Sequence, residues 1–386
     1  MFSRSCVSRL ALLVFLLSAC GGTSTPSNPD AGTAGFTFQP SNVSLSDIVA
    51  NQPMAAAESV TMDCSIVTDP SSPTAACFTS PIEVVKQFDG STVNLVVVQS
   101  LTVAAGTKVS ASGTVPLVIV SLSNITWAGQ LLANSSMSAD QIGPGGAVSG
   151  SSSNSVGLGP GGGPAASSTA AVGAGGGSYC GKGGPGGGAT AIASSYGNLA
   201  IRPLAGGSAG GAGATNAGAG GGAVQLVAQG TLTIAAGGVI TVGGAGGDFG
   251  GVAPDQNSSA GGSGGAILLE ALTVSVAGTL AANGGGGGGD YNSPAGADAT
   301  ADAKPAPGAA GGTEEGPGGA GGAGATTDGS PGSVSSGLNA GAGGGGVGRI
   351  AINSKTGSAA ITGTISPATT TLCAVQTTVR PLTEGP

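Results

Sequence analysis

The sequence predicts an all-β chain, a short right-handed parallel β-helix of about five coils with long Gly-rich insertions. Three observations carry this. First, the 386-residue chain contains 79 Gly and only 7% charged residues, far from an ordinary globular composition. Second, a motif of short apolar strands recurs: GGAVQLVAQGTLTIAAGGVITVGGAGG from Gly221 is answered by GGAILLEALTVSVAGTLAANGGGGGG from Gly264. Third, its strands alternate, as in Leu101-Thr102-Val103, Ile125-Thr126-Trp127, Leu232-Thr233-Ile234 and Leu272-Thr273-Val274. A period of two puts both aliphatic residues of each triplet on one face and Thr on the other.

Further copies are expected at Val93 to Gly113 and Pro116 to Ser136, with a degenerate one at Val347 to Pro367. A copy of roughly 20 residues is too small to bury its own apolar face, so copies must stack, each strand bonded to its equivalent at ~4.8 Å. Five coils would stand ~20 to 25 Å tall. A β-sandwich is the alternative, since many short strands with turn signals also build one. In-register copies and insertions at one equivalent place favour the helix.

Residues 1–19 read as a signal peptide: Arg4 and Arg9 precede an apolar run from Leu10 to Leu17 that is far shorter than the ~20 residues of a spanning helix. Leu17-Ser18-Ala19-Cys20 resembles the lipobox of bacterial lipoproteins, which implies that Cys20 is the lipidated N-terminus of the mature chain. Gly21 after the Cys resembles the class directed to the outer membrane. Losing Arg4 and Arg9, and no acid, deepens the net charge from −8 to −10. Residues 20–35 then form a flexible Ser/Thr/Pro/Gly tether, whose last 13 residues reach ~45 Å if fully extended.

Residues 36–92 have a conventional residue mixture and are expected to form an N-terminal cap with a disulfide hairpin; 93–386 form the repeat region. With Cys6 removed and Cys20 lipidated, Cys64, Cys77, Cys180 and Cys373 remain, an even number in an exported chain. Three pairings are open. The short Pro/Ser turn between Cys64 and Cys77 favours that bridge, leaving Cys180 with Cys373.

The Gly-rich insertions fall at 137–221, 243–264 and 284–346. They are expected to be flexible, because Gly loses most backbone entropy on ordering, or to pack as extended polyproline-II-like strands. Partly ordered loops on one face of the stack are the expectation here. No Gly-X-Y period supports a collagen helix.

The chemistry-bearing residues are sparse. The chain has no His, which removes the commonest general base and metal ligand. No basic cluster suits nucleic acid, so no nucleic-acid partner is expected. The Gly-x-Gly-x-x-Gly matches lack a βαβ context. GGAGGD (Gly243 to Asp248) and GGGGGD (Gly285 to Asp290) match the start of a calcium-binding nonapeptide, but the copies are isolated, and water-exposed carboxylates are the plainer expectation. Glu314-Glu315 lies inside an insertion. Glu270 and Arg349 are expected on outward faces of neighbouring coils as a surface ion pair. Trp127 occupies an interior position and reads as core rather than as a glycan-stacking ring. No catalytic residue, metal or cofactor is expected.

As a whole the mature chain resembles glycine-rich surface lipoproteins of Gram-negative bacteria. Its composition is similar to the PGRS portions of PE-PGRS proteins and its repeats to β-helical adhesins. The resemblance implies a non-enzymatic structural or adhesin-like protein, anchored to the outer membrane by lipid and displayed at the cell surface, with glycan or matrix contacts. A polysaccharide-binding or polysaccharide-cleaving β-helix is the alternative. The sequence leaves the oligomeric state open.

Overall fold

The computed structural model describes residues 35–137, 141–148, 153–167, 171–249, 257–289, 293–311, 316–335 and 340–382. The described residues are mostly strand with very little helix: α1 (Leu45–Asn51), closed at its N-terminus by a Ser44/Asp47 capping box, and a 3-10 turn at Gln52–Met54. The strands before the repeats are β1 (Ala57–Val60), β2 (Cys64–Thr68), β3 (Thr74–Ala75) and β4 (Ile82–Lys86). The first two repeats supply β5 (Thr92–Val98), β6 (Ser100–Val103), β7 (Lys108–Gly113), β8 (Leu117–Ser121), β9 (Ile125–Trp127) and β10 (Gln130–Leu132). The later ones supply β11 (Ala223–Ile234), β12 (Val239–Thr241), β13 (Ala266–Val276), β14 (Thr279–Ala281), β15 (Arg349–Ser354), β16 (Ala360–Ile361) and β17 (Thr364–Ser366), and β18 (Ala374–Thr378) closes the set.

Pairing is parallel throughout these strands except at β2–β3 and β4–β5. Each repeat sends strands to the same three columns. One column runs β5–β8–β11–β13–β15–β18, the second β1–β6–β9–β11–β13–β16, and the third β2–β7–β10–β12–β14–β17. Register carries like residues into line. Val96, Ile119, Leu226, Leu269 and Ile352 are successive partners, as are Val109, Leu131, Ile240, Leu280 and Ile365. All but half-buried Ile365 are fully enclosed in one core, and burying each such aliphatic side chain stabilises by about 1.5–3 kcal/mol. Trp127 is in that core with 0% exposure, while the Thr residues beside it at 102 and 126 are exposed.

The alignment of repeats by Leu-Thr triplets fails at one place. Leu232 partners Val274 rather than Leu272: Ala223 pairs with Ala266, but Leu232 lies nine positions after the one and Leu272 only six after the other, and the extra residue of β11 between Ala228 and Thr231 absorbs just one of those three. Leu272 packs, half-buried, against the apolar cluster on the outer side of the sheet, as do Val375 and Val379. β11 and β13 each run unbroken through the first two columns, so what read as two strands is one in each.

The first column is buried on both faces, which is why its strands read as continuous apolar runs such as VNLVVV and AILLEA. Its outer face is covered by Phe36, Phe38, Val43 and Ile48 from the N-terminal segment, and by Tyr179, Ile201 and Leu204. Both disulfides are formed: Cys64–Cys77 beside the β2–β3 pair, and Cys180–Cys373 across 193 residues. Closing loops of those lengths in the unfolded chain is worth about 3 and about 5 kcal/mol on the chain-entropy model.

The Gly-rich segments emerge where β10, β12 and β14 end and return where β11, β13 and β15 begin. Their described parts are more ordered than loops. Gly181, Gly184 and Gly187 donate their N–H groups to the carbonyls of Val347, Gly344 and Gly341 at 2.8–3.1 Å, and Gly173, Gly176 and Tyr179 donate to Gly187, Gly184 and Gly181 at 2.8–3.0 Å. Every third residue faces the same neighbour, the period of a polyproline-II-like helix with three residues per turn. Such a helix has no internal hydrogen bonds, so its amides and carbonyls are free for adjacent segments. Residues 341–347 bond to six neighbouring segments among the described residues, at 174–177, 181–187, 261–264, 285–288, 319–322 and 327–333. The result is a close-packed bundle held mainly by backbone hydrogen bonds, with Ser178, Ser258 and Ser259 hydroxyls and a small Ala cluster packed into it.

Only Gly permits this spacing. A Cβ on Gly343 would collide with the carbonyl oxygen of Gly184, and one on Gly344 with that of Ala320. Replacing Gly343 by Ala, or Gly344 by Val, is expected to lower unfolding stability by about 1–3 kcal/mol through overpacking. Denaturant unfolding followed by circular dichroism measures this; an unchanged midpoint would contradict the close packing.

Candidate functional site

The site is assembled on the outer face of the first column, where three segments distant in sequence converge. The strap at residues 36–44 crosses β11, β13 and β15 over a buried polar row. Glu270, 0% exposed, accepts hydrogen bonds from Ser41 N at 3.0 Å, Ser41 Oγ at 2.6 Å, Gln225 Nε2 at 2.6 Å and Asn353 Nδ2 at 3.1 Å. Asn42 extends the row by donating to Gln225 Oε1 at 3.1 Å. A carboxylate out of water is tolerated when its oxygens are fully bonded, and here neutral donors do that work. The strap is thus pinned by hydrogen bonds that need its own backbone.

Arg349 does not join this row. Its guanidinium donates to the carbonyls of Tyr196 and Gly197 and lies 5.8 Å from the centroid of Tyr179, which stacks on Tyr196 at 4.5 Å. The expected surface ion pair between Glu270 and Arg349 is therefore replaced by two separate internal anchors. The sheet's outward face is not surface here, because the strap and the segment around Tyr196 cover it. Burial holds Arg349 below the ordinary guanidinium range and pushes both Tyr hydroxyls up.

The second segment is the β4–β5 turn. Gln87 donates Nε2 to Leu204 O at 3.0 Å and accepts from Leu204 N at 2.8 Å, which fastens the turn to the third segment, the arm at 196–204. Asn42 grips the same arm, donating to Ile201 O at 3.0 Å and accepting from Leu204 N at 3.1 Å. Ile201 is buried with φ at 49°, a left-handed conformation that a β-branched residue adopts only when its surroundings impose it.

Between strap, turn and arm lies a cleft of ≈ 170 Å³. Lys86, Arg202 and Arg380 line it together with Phe88, Asp47 and the strap. Arg202 sits over the Phe88 ring at 4.2 Å from its centroid, a cation–π contact that holds the guanidinium in place. Asp47 is engaged in capping α1, accepting from Ser44 Oγ at 2.6 Å. Across Gln87 a second groove of ≈ 340 Å³ runs past Asp89, Thr92, Pro116, Pro160 and Pro203. Sequence inspection missed this cleft because Lys86, Arg202 and Arg380 belong to no motif and come from three separate segments.

The residues singled out from sequence are dispersed. Cys20, Glu314, Glu315 and Asp290 lie outside the described residues. Asp248 is partly buried rather than freely exposed: its own Oδ1 accepts from Phe249 N at 2.9 Å, and burial raises its pKa above the usual carboxylate value. The glycines before it belong to the bundle, where Gly247 donates to Gly286 O at 2.9 Å. Among the described residues no group of three or more Cys, Asp or Glu is placed to hold a metal ion.

Replacing Glu270 by Ala strands the Ser41, Gln225 and Asn353 donors and is expected to cost about 2–4 kcal/mol. Limited proteolysis reads the consequence directly, as faster cutting within residues 36–44. Equal cutting of variant and parent would contradict the pinning role of Glu270. Comparison of the chain with protein-family models, with curated proteins and with solved structures finds no match.

Proposed function

We propose that this chain is a non-enzymatic, lipid-anchored protein of the bacterial envelope, and that its strands form a short parallel β-helix which displays the Gly bundle at the cell surface. The three-column pairing supports the helical reading, because each full repeat visits the columns in the same order. The observation that carries the display reading is the bundle itself. Insertions that pack into a close, backbone-bonded body give a rigid surface, as structural or adhesin-like presentation requires. A lipid on Cys20 and the tether at 20–35 would hold this body off the outer membrane.

The second reading is a polysaccharide-binding β-helix, and the basic cleft favours it. Polysaccharide cleavage would add a carboxylate pair working at that cleft.

Lipidation is tested by growing cells with labelled palmitate. The parent chain is expected to carry label and fractionate with the outer membrane, and the Cys20→Ala variant to lose the label. Unlabelled parent would overturn the anchor. Brief protease treatment of intact cells, with a periplasmic protein as the leakage control, is expected to release peptides from 284–346; release only after the outer membrane is broken would place the display on the periplasmic side.

A further inference from the structure

We propose that the outer face of the second column binds ice, holding lattice water on a regular grid of Thr and Ser hydroxyls. This goes beyond the display reading and does not depend on the lipid anchor.

The first argument is which face the fold leaves open. The outer face of the first column is covered by the strap and the arm, and on the third column the outward residues Thr241, Ala281 and Ser366 are buried. On the second column, Ser59, Thr102, Thr126 and Thr273 are exposed, while Ser100, Thr231, Thr233 and Ser275 are half-buried. The strands that carry them are backed by Leu101, Ile125, Trp127, Leu232 and Val274, all in the main core, so the face is held rigidly.

The second argument is regularity. Ser59, Thr102, Thr126, Thr233 and Ser275 are successive partners across β1, β6, β9, β11 and β13. A second rank, two residues earlier in each strand, carries Ser100, Asn124, Thr231 and Thr273, with Thr231 the partner of Thr273. Paired strands put neighbours in a rank ~4.8 Å apart, and residues two apart in one strand stand ~6.7 Å apart. Water joined tetrahedrally by O–H···O bonds of about 2.75 Å has second-neighbour oxygens about 4.5 Å apart and, in hexagonal ice, an axial repeat of about 7.3 Å. Grid and lattice therefore agree to within about a tenth in both directions.

The third argument is chemistry. Among the described residues none of these hydroxyls bonds within the protein, so each is left for water. Thr231 engages only its backbone N–H, on Asn124 Oδ1 at 2.7 Å. A β-branched side chain is stiff at χ1, which fixes each Thr hydroxyl and, beside it, a methyl that orders first-shell water. Neither rank holds a charge, which would turn water about itself, or an aromatic ring. A crystalline polysaccharide would call for rings to stack on its sugars, and the chain's one Trp, Trp127, lies in the core with 0% exposure. The face is thus made for ordered water rather than for sugar.

The test is slow growth of ice in a solution of the full-length protein in neutral detergent, reading the share of protein taken into the ice and the gap between melting and freezing points. The parent is expected to enter the ice and open a gap, and detergent alone to do neither. Thr126→Tyr, in the middle of the grid, should lose both with an unchanged circular dichroism spectrum, because Tyr is a strong strand former. The same change at exposed Thr364, on the third column, should preserve both. Ser59→Thr and Ser275→Thr, which add methyls to the grid, should widen the gap, a gain that misfolding cannot produce. The proposal is overturned if the parent is excluded from ice, or if Thr126→Tyr enters ice like the parent. Adsorption to microcrystalline cellulose or chitin in place of ice would overturn it in favour of a glycan-binding face, whatever palmitate labelling shows for Cys20.

Discussion

The structure depends on one contact, the approach of one peptide backbone to another with no side chain between them. In the bundle, an amide such as that of Gly184 reaches the carbonyl of Gly344 at 2.8 Å, and on another side Gly344 donates to Ser330 O at 3.0 Å. A polyproline-II-like segment can satisfy its backbone groups only through neighbours, and neighbours come this close only when Cβ is missing. The high Gly content is therefore a packing requirement, not a sign of a loose chain.

Magnitudes explain why the bundle must be built on the strands. Ordering a backbone residue costs about 1–2 kcal/mol, more for Gly than for others, while a hydrogen bond returns about 0.5–1.5 kcal/mol net. A free-standing Gly segment would thus gain too little to hold its shape. The fold reduces the deficit by anchoring segments at both ends. Gly222 donates to Ala133 O and Gly265 to Val242 O, so the sheet ladders run directly into the bundle, and the Cys180–Cys373 bridge ties bundle residue 180 to the chain entering β18. The apolar core, with its in-line Ile, Leu and Val, supplies the stabilisation that the bundle lacks.

Local patterns made the strands legible in the sequence, because alternation of Leu, Thr and Val reports which face is buried without knowing the partner. The register of β11 on β13 was not legible, since the Leu-Thr motif stands three positions further along β11 than along β13 and the bulge takes up only one of them, leaving Leu232 opposite Val274. Short spacing favoured the Cys64–Cys77 bridge, whereas Cys180–Cys373 followed only as the remaining pair. Glu270 was misjudged for a specific reason: strand parity correctly pointed it outward, but the segment that buries it is the strap around Ser41, 229 residues away. The cleft was invisible for the same reason, because Lys86, Arg202 and Arg380 acquire meaning only once strap, turn and arm meet.

The bundle is a hydrogen-bonded solid rather than a set of loops, and amide hydrogen exchange resolved to single residues tests that most directly. The N–H groups of Gly341, Gly344 and Val347 are predicted to exchange as slowly as those of β11 and β13, since both belong to one continuous bonded body. Exchange at the rate of an unstructured chain in 341–347, with β11 and β13 still protected, would contradict it.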